Sequence, residues 1–327
     1  MILVDADVLG RSRTGEETYI ANLLRELPAA APDLQFAAVT RHPELVPDGV
    51  EAIALPARFQ EVRMAVSLPR LLRRLRPQLA HFQHALPLGY GGRSVVTLHD
   101  LHFERDPSAM RLVDRLTFRA VVPRSARKAD HVLAVSERTK RDAVELYGLA
   151  PDGITVTPLA VDPAFAPGDG THDGYLLFVG AVQQRKDPLA ALDAAQAMGL
   201  PLVVVGPEKD KALAAELRRR GADVRGAVPK ADLAELYRRA AAVLLLSRYE
   251  GFGIPVLEAM ASGTPVVLSD DPALREVAGD AGVYGPIAEA LADRNRYRAA
   301  GLTRAAQFSW RRTAGLTVGA YRKVLAA

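Results

Sequence analysis

Cysteine is absent from the 327 residues, which removes disulfides, thiolate nucleophiles and cysteine-based zinc sites together. Chemistry in this chain must rest on Glu, Asp, His, Lys and Arg. Long hydrophobic runs are also missing: none approaches the ~18 to 20 residues that cross a bilayer. The opening "MILVDADVLG" has neither a basic leader nor a small-residue cleavage site, so a cytoplasmic protein is expected. Lysine is scarce, at seven of the 42 basic residues, and the net charge is +4. Arginine-rich chains suit bidentate contacts to phosphate, although a GC-rich genome would give the same bias.

What is present reads as globular, with 49% hydrophobic and 24% charged residues. The length exceeds one typical core and suits two domains of roughly 100 to 200 residues each. The first half alternates β-rich runs with amphipathic helices. Strands are expected near 2–9, 35–40, 50–55, 79–83, 94–99, 131–136 and 154–159, with helices such as Glu17 to Leu27 and Ser67 to Leu75 between them. Such alternation argues for parallel sheets wound on both faces. "DPAFAPGDGTHDG" (162–174) then concentrates Pro, Gly and Asp without periodicity and reads as a linker. Afterwards the pattern restarts, with strands expected near 175–180, 201–206, 222–228, 242–247 and 265–269, and closes on helices only from about Ala288.

The segment "SRYEGFGIPVLEAMASGTPVV" (247–267) places Glu250 and Glu258 eight positions apart around two glycines and a proline. Pro255 fits a first helical turn and Gly263 the position just past a helix end. Glu250 is therefore expected in a loop at a strand's carboxyl end and Glu258 one turn into the next helix, on the rim where open α/β sheets bind ligands. The amides of Gly251 to Gly253 would hold an anion there. A plain strand-turn-helix with surface acids would look the same from spacing alone. "RK" at 185–186, after a strand ending at Gly180 and before Asp187–Pro188, places two cations at a second such rim; a solvated charge pair is the bland alternative. His99 and Asp100 end another apolar strand. The pairs His81/His84 and His99/His102 lie outside any predicted helix with zinc spacing, so no metal is expected.

The series "RTGEETYIANLL" (13–24), "HFQHALPL" (81–88), "TLHDL" (97–101), "ADHVLAVSERTKRD" (129–142), "FVGAVQQRKDP" (178–188), "GFGIPVLEAMASGTPVV" and "ALREVAGDAG" (273–282) resembles the retaining glycosyltransferases of family 4, in order and along almost the whole chain. The resemblance implies a GT-B fold: two Rossmann-like α/β domains facing each other across a cleft, here 1–165 for the acceptor and 166–305 for the nucleotide sugar, with a helix at 306–327 returning to the first. It implies transfer from a nucleotide-diphosphate sugar to an acceptor hydroxyl with retention, without metal or cofactor. Glu250, Lys186, Arg185 and His99 would carry the chemistry. Gly15, Gly180, Gly251, Phe252, Gly253, Ile254 and Glu258 would join Arg185, Lys186 and Glu250 around the donor, with His84 and Asp100 on the acceptor side. Glu250 would face the sugar and Glu258 a ribose, while Asp100 either orients His99 or caps the next segment.

The chain departs from the pattern at three places. Ala181 stands where many relatives carry Arg, Glu17 replaces a second loop glycine, and the stretch between 285 and 290 is shorter than usual. The mannosyl- and rhamnosyltransferases of surface-polysaccharide assembly are the nearest in character, which points to GDP-mannose, with UDP-sugars open. A nucleotide-sugar epimerase or hydrolase, or an inactive nucleotide-sugar-binding subunit, would fit the same fold. Two arginine-rich amphipathic stretches, 68–77 and 111–128, are either core helices with a solvated face or a contact with an anionic leaflet suited to a lipid-linked acceptor. No aromatic platform accompanies the arginines, so nucleic acid is not an expected partner.

Overall fold

A computed structural model describes residues 1–327 except 12–14, 58 and 107–111, and leaves out the side chains of 112–114. The chain divides into two compact α/β units: residues 1–104, the described part of 110–159 and 310–327 in the first, and 105–106 with 160–309 in the second.

Among the described residues, the first unit holds a seven-stranded sheet of β1 (Ile2–Asp5), β2 (Phe36–Thr40), β3 (Glu51–Ala54), β4 (Leu79–Gln83), β5 (Ser94–Leu98), β6 (His131–Ala134) and β7 (Ile154–Val156), in the order β3-β2-β1-β4-β5-β6-β7. Every pairing is parallel. Strands buried on both faces read as continuous apolar runs, which is why their existence was legible and their ends were not. The run expected at 2–9 stops at Asp5, because Asp5 and Asp7 there grip the fully buried Arg63: its Nη1 lies 3.0 Å from Asp5 Oδ2 and its Nε 3.2 Å from Asp7 Oδ1. A buried guanidinium needs such partners.

Helix Gly15–Ala30 covers one face, and helix Trp310–Ala326 lies against it and against β4, β6 and β7. This last helix starts at Trp310, not 306, since Phe308 packs edge-on against Phe252 of the second unit at 6.0 Å.

The second unit holds β8 (Leu176–Val179), β9 (Leu202–Val205), β10 (Asp223–Gly226), β11 (Ala242–Leu245) and β12 (Val266–Leu268), again all parallel, ordered β10-β9-β8-β11-β12. The compact units part at 159/160, which leaves the segment read as a linker in the second. The segment read as a linker is irregular but fastened to this unit: Phe165 meets Tyr237 ring to ring at 5.6 Å, Arg298 donates to Gly168 O and Arg294 to Gly170 O, each at 2.8 Å. The shortened stretch after Gly285 runs directly into helix Ile287–Ala292, whose Ile287 and Ala290 are buried in the unit's core.

Candidate active site

In the second unit the site is built at the carboxyl ends of β8 and β11. After β11 the chain turns through Ser247 to Gly253, and helix Ile254–Ala261 begins with Gly253 at its N-cap, φ +100°. A Cβ there would sit 2.7 Å from Leu274 Cδ2, so only glycine fits. Gly253 offers no side chain to cap this helix, and helix N-termini of this kind are suited to meeting an anion. Pro255 lies in the first turn and Gly263 follows the end with φ +76°.

Glu250 is only 5% exposed. Lys186 Nζ contacts both of its oxygens, at 2.6 Å from Oε2, and Arg185 Nη1 lies 3.7 Å from the same oxygen. Burial would raise the acid's pKa, but Lys186 and then Arg185 and hydrogen bonds from Lys186 and Ser247 outweigh it and hold the pKa below the usual range. Glu250 N also donates to Asp271 Oδ2 at 3.4 Å, and Asp271 caps helix Pro272–Ala278 through Ala273 and Leu274. The sequence reading gave Glu250 and the two cations separate roles; the structure joins them in one buried ionic group. Arg185 is itself buried, turned toward Tyr249 O, while Lys186 is the more accessible cation, 16% exposed.

Glu258, half-buried, is in the opposite state. Burial raises its pKa to about 7; the hydrogen bond from Tyr237 Oη at 2.8 Å opposes this, nearby Asp162 adds to it and Lys230 subtracts. The two acids that look equivalent in the sequence thus differ, one firmly ionised and one poised to carry a proton. Phe252 is buried, and Ile254 opens the helix. Gly180 ends β8 and packs on Gly206, a residue the sequence reading passed over: a Cβ on Gly206 would fall 2.1 Å from Gly180 O. The sequence signal was "VVVG" (203–206), a glycine at a strand end like that of "LFVG" (177–180).

The first unit gathers its residues at the carboxyl ends of β4 and β5. His99 Nε2 lies 2.8 Å from Gln83 Oε1, and the ring stands edge-on to Tyr19 at 5.0 Å and 5.3 Å from the His84 ring. Desolvation dominates, with Glu16 and Asp100 opposing it and His84 reinforcing it, so the pKa of His99 is lowered to about 4 and the ring is neutral. His84 adopts φ +59°, uncommon for a residue with a Cβ, and its Nε2 meets Glu16 Oε1 at 3.2 Å. Burial would lower His84, but Glu16 raises it overall; burial would raise Glu16, yet His84 brings it down to about 2. The Glu16 side chain is still 37% exposed, so water screens this pair.

Asp100 turns to Nδ1 of His102, the first residue of helix His102–Arg105, at 2.6 Å, while His99, the other partner considered for it, is held by Gln83. Gly15 is the exposed first residue of its helix; residues 12–14 of its loop lie outside the described residues. His81 is spent structurally, Nδ1 on Tyr321 Oη at 2.6 Å and Nε2 on Thr97 Oγ1 at 2.7 Å. Glu16, Gln83 and Tyr19 were not anticipated. Glu16 could have been noticed as an acid in a first helical turn, whereas nothing local marks Gln83.

Residues 13–165 match the family described as Glycosyltransferase Family 4 and residues 165–297 the family described as Glycosyl transferases group 1. Over 268 residues the chain is 31% identical to the O-antigen chain mannosyltransferase B of Escherichia coli, covering 70% of each chain. The chain belongs to the group 1 glycosyltransferases of family 4.

Seven further curated relatives match this glycosyltransferase over only 50–58% of their own length. Among solved structures, the sucrose-phosphate synthase of Thermosynechococcus elongatus superposes with a TM-score of 0.78 at 19% identity, covering 99% of this chain and 98% of that one. Anabaena HepE in complex with UDP-glucose gives 0.72 at 14% identity, covering 100% and 99%. These likenesses establish the GT-B fold.

Proposed function

We propose that this glycosyltransferase moves a sugar from a nucleoside-diphosphate donor to an acceptor hydroxyl with retention at the anomeric carbon, in the synthesis of a surface polysaccharide or other glycoconjugate. The observation that carries the reading is the buried Glu250–Lys186–Arg185 group at the end of β11, just before the N-terminus of helix Ile254–Ala261. A diphosphate leaving group brings negative charge, and fixed cations and helix amides that meet it without rearrangement stabilise the charge as it develops. Here they do so in place of a divalent ion.

The step itself is a front-face substitution. The bond from the anomeric carbon to the diphosphate oxygen breaks, the bond to the acceptor oxygen forms on the same face, and the acceptor's proton passes to the departing phosphate. No protein nucleophile is required. Glu258 then takes ribose hydroxyls, and its high pKa suits a group that exchanges the Tyr237 hydrogen bond for those of a sugar.

The mannosyltransferase relative favours GDP-mannose, and the HepE complex makes UDP-glucose the comparison. An acceptor with an apolar portion fits the first unit. Among the described residues, seven of the eight exposed large hydrophobics, Leu45, Phe59, Val62, Leu88, Leu116, Phe118 and Val121, fall there. Helix Leu112–Lys128 adds the exposed Arg119, Arg124 and Arg127, a pattern suited to an anionic leaflet and a lipid-linked acceptor. The stretch 68–77 contributes less, because Leu71 and Leu72 are buried in the core.

The test is thermal melting with GDP-, UDP- and ADP-sugars. A donor at about 100 times its Kd adds about 2.7 kcal/mol, so one base should raise the melting temperature clearly. Failure of every donor, or a donor located away from residues 250–258 in a soaked crystal, refutes the reading.

A further inference from the structure

We propose that Gln83 is a positioning residue that locks His99 in one neutral tautomer, with the proton on Nε2 and the bare lone pair on Nδ1. The proposal rests on the reading that His99 meets the sugar, and goes beyond it by naming what prepares the ring.

The geometry is a contact between neighbouring strand ends. Gln83 is the last residue of β4, its Cα partner across the sheet is Thr97 of β5, and His99 follows two residues on. The ladder continues past Gln83 through His84 N donating to Thr97 O at 2.9 Å, which fixes the amide side chain and the imidazole on the same rim. His99 Nε2 and Gln83 Oε1 are 2.8 Å apart. An amide oxygen only accepts, so Nε2 must donate, and a neutral imidazole then carries no proton on Nδ1.

A neutral ring is what the surroundings favour. From helix Gly15–Ala30 come Glu16 and Tyr19, from just past β4 His84, from the loop after β5 Asp100, and His81 of β4 is close enough to feel His99, its own charged form disfavoured by burial. Tyr19 is itself fixed, its Oη 3.2 Å from Thr97 Oγ1, so the edge-on contact leaves the ring little freedom to turn. Asp100, the residue that would otherwise serve as the orienting group, is engaged with His102. Among the described residues no hydrogen bond engages Nδ1. A lone pair held there can accept from a sugar hydroxyl, whereas an N–H at that position would repel the hydroxyl's own hydrogen and demand an acceptor in its place.

Among the described residues, the buried amide nitrogen of Gln83 has no hydrogen-bond partner, and neither does Nδ1 of the neighbouring residue His84. Such groups cost free energy unless something offsets them. Retaining an amide at this cost is reasonable if its oxygen sets the state of His99.

The experiment is two-bond 15N–1H correlation NMR on the full chain, with His99 assigned by its loss in His99→Asn. The expected spectrum shows protonated Nε2 and unprotonated Nδ1. Gln83→Leu keeps the shape but removes the acceptor, and should release a tautomer mixture and lower kcat about tenfold while the donor KM stays within about twofold. Gln83→Glu places a carboxylate beside Nε2 and should move the His99 titration, and the acidic limb of the rate profile, up by about one pH unit or more. A proton on Nδ1 in the wild type, or an unmoved His99 titration in Gln83→Glu, overturns the proposal. If the tautomer changes in Gln83→Leu with turnover intact, the lock stands and the role of His99 at the sugar falls.

Discussion

Both units end parallel strands on the same kind of rim, yet they populate it with opposite electrostatics. In the second unit a buried carboxylate is held ionised by Lys186 and Arg185, and backbone meets backbone at Gly206 and Gly180. In the first unit the rings of His99 and His84, the amide of Gln83 and the partly exposed Glu16 hold one another by hydrogen bonds and ring contacts. The difference teaches what each rim is for. On the proposed reading, the buried charge of the second rim suits a diphosphate, whereas the neutral His99 and the Gln83 amide of the first, beside a Glu16–His84 pair still open to water, suit hydroxyl groups.

That contrast breaks most visibly at Gly206. Replacing it by Ala should cost about 4 kcal/mol or more, because the new Cβ meets a carbonyl oxygen that cannot move aside, and a large fall in melting temperature would show it. No such sensitivity is expected at Gly91 of the first unit, where a Cβ meets nothing within 4 Å. Next in size, Glu250→Gln should lower turnover about 100-fold while nucleotide binding, measured by calorimetry, persists. An unchanged rate would remove Glu250 from the mechanism.

The paired acids then separate by pH. Glu258 has its folded pKa raised to about 7 from an ordinary 4.5, so the stability it lends is complete below pH 4.5 and is lost as pH rises through 7. Glu250, lowered on folding, lends stability above that ordinary value and loses it as pH falls through its folded pKa. Glu258→Gln should therefore flatten the decline between pH 5 and 8 by on the order of 2 kcal/mol in urea titrations. The smallest effect belongs to the first unit. Glu16→Gln should lower the His84 titration seen by NMR and change stability by about 0.5 kcal/mol or less, since water already screens the pair.

How far the sequence carried the description follows the range of the interactions. Strand interiors such as "LAHFQ" and the turn from Glu250 to Gly263 were legible because apolar runs, Gly and Pro act over a few residues. The pairing of Lys186 with Glu250, 64 positions apart, the grip of Arg63 on Asp5 and Asp7, and the contact of Gln83 with His99 were not. Each depends on which strands lie side by side, which no local window records. The attachment of the linker was hidden for the same reason: its composition is that of a free segment, and the residues that tie it down, among them Lys230, Tyr237, Arg239, Arg294 and Arg298, lie far along the chain.

Helix Trp310–Ala326 completes the first unit from the far end of the chain, with Thr313 bonded to Pro158 O, Tyr321 fully buried against His81 and Trp310 tilted toward Tyr19. On the ribosome, therefore, the half that emerges first stays unfinished until residues 310–326 have followed the whole second unit out, while the half made later can close its own core beforehand. Any nonsense codon after residue 309 would spare the later-made half and leave the earlier one with its sheet uncovered.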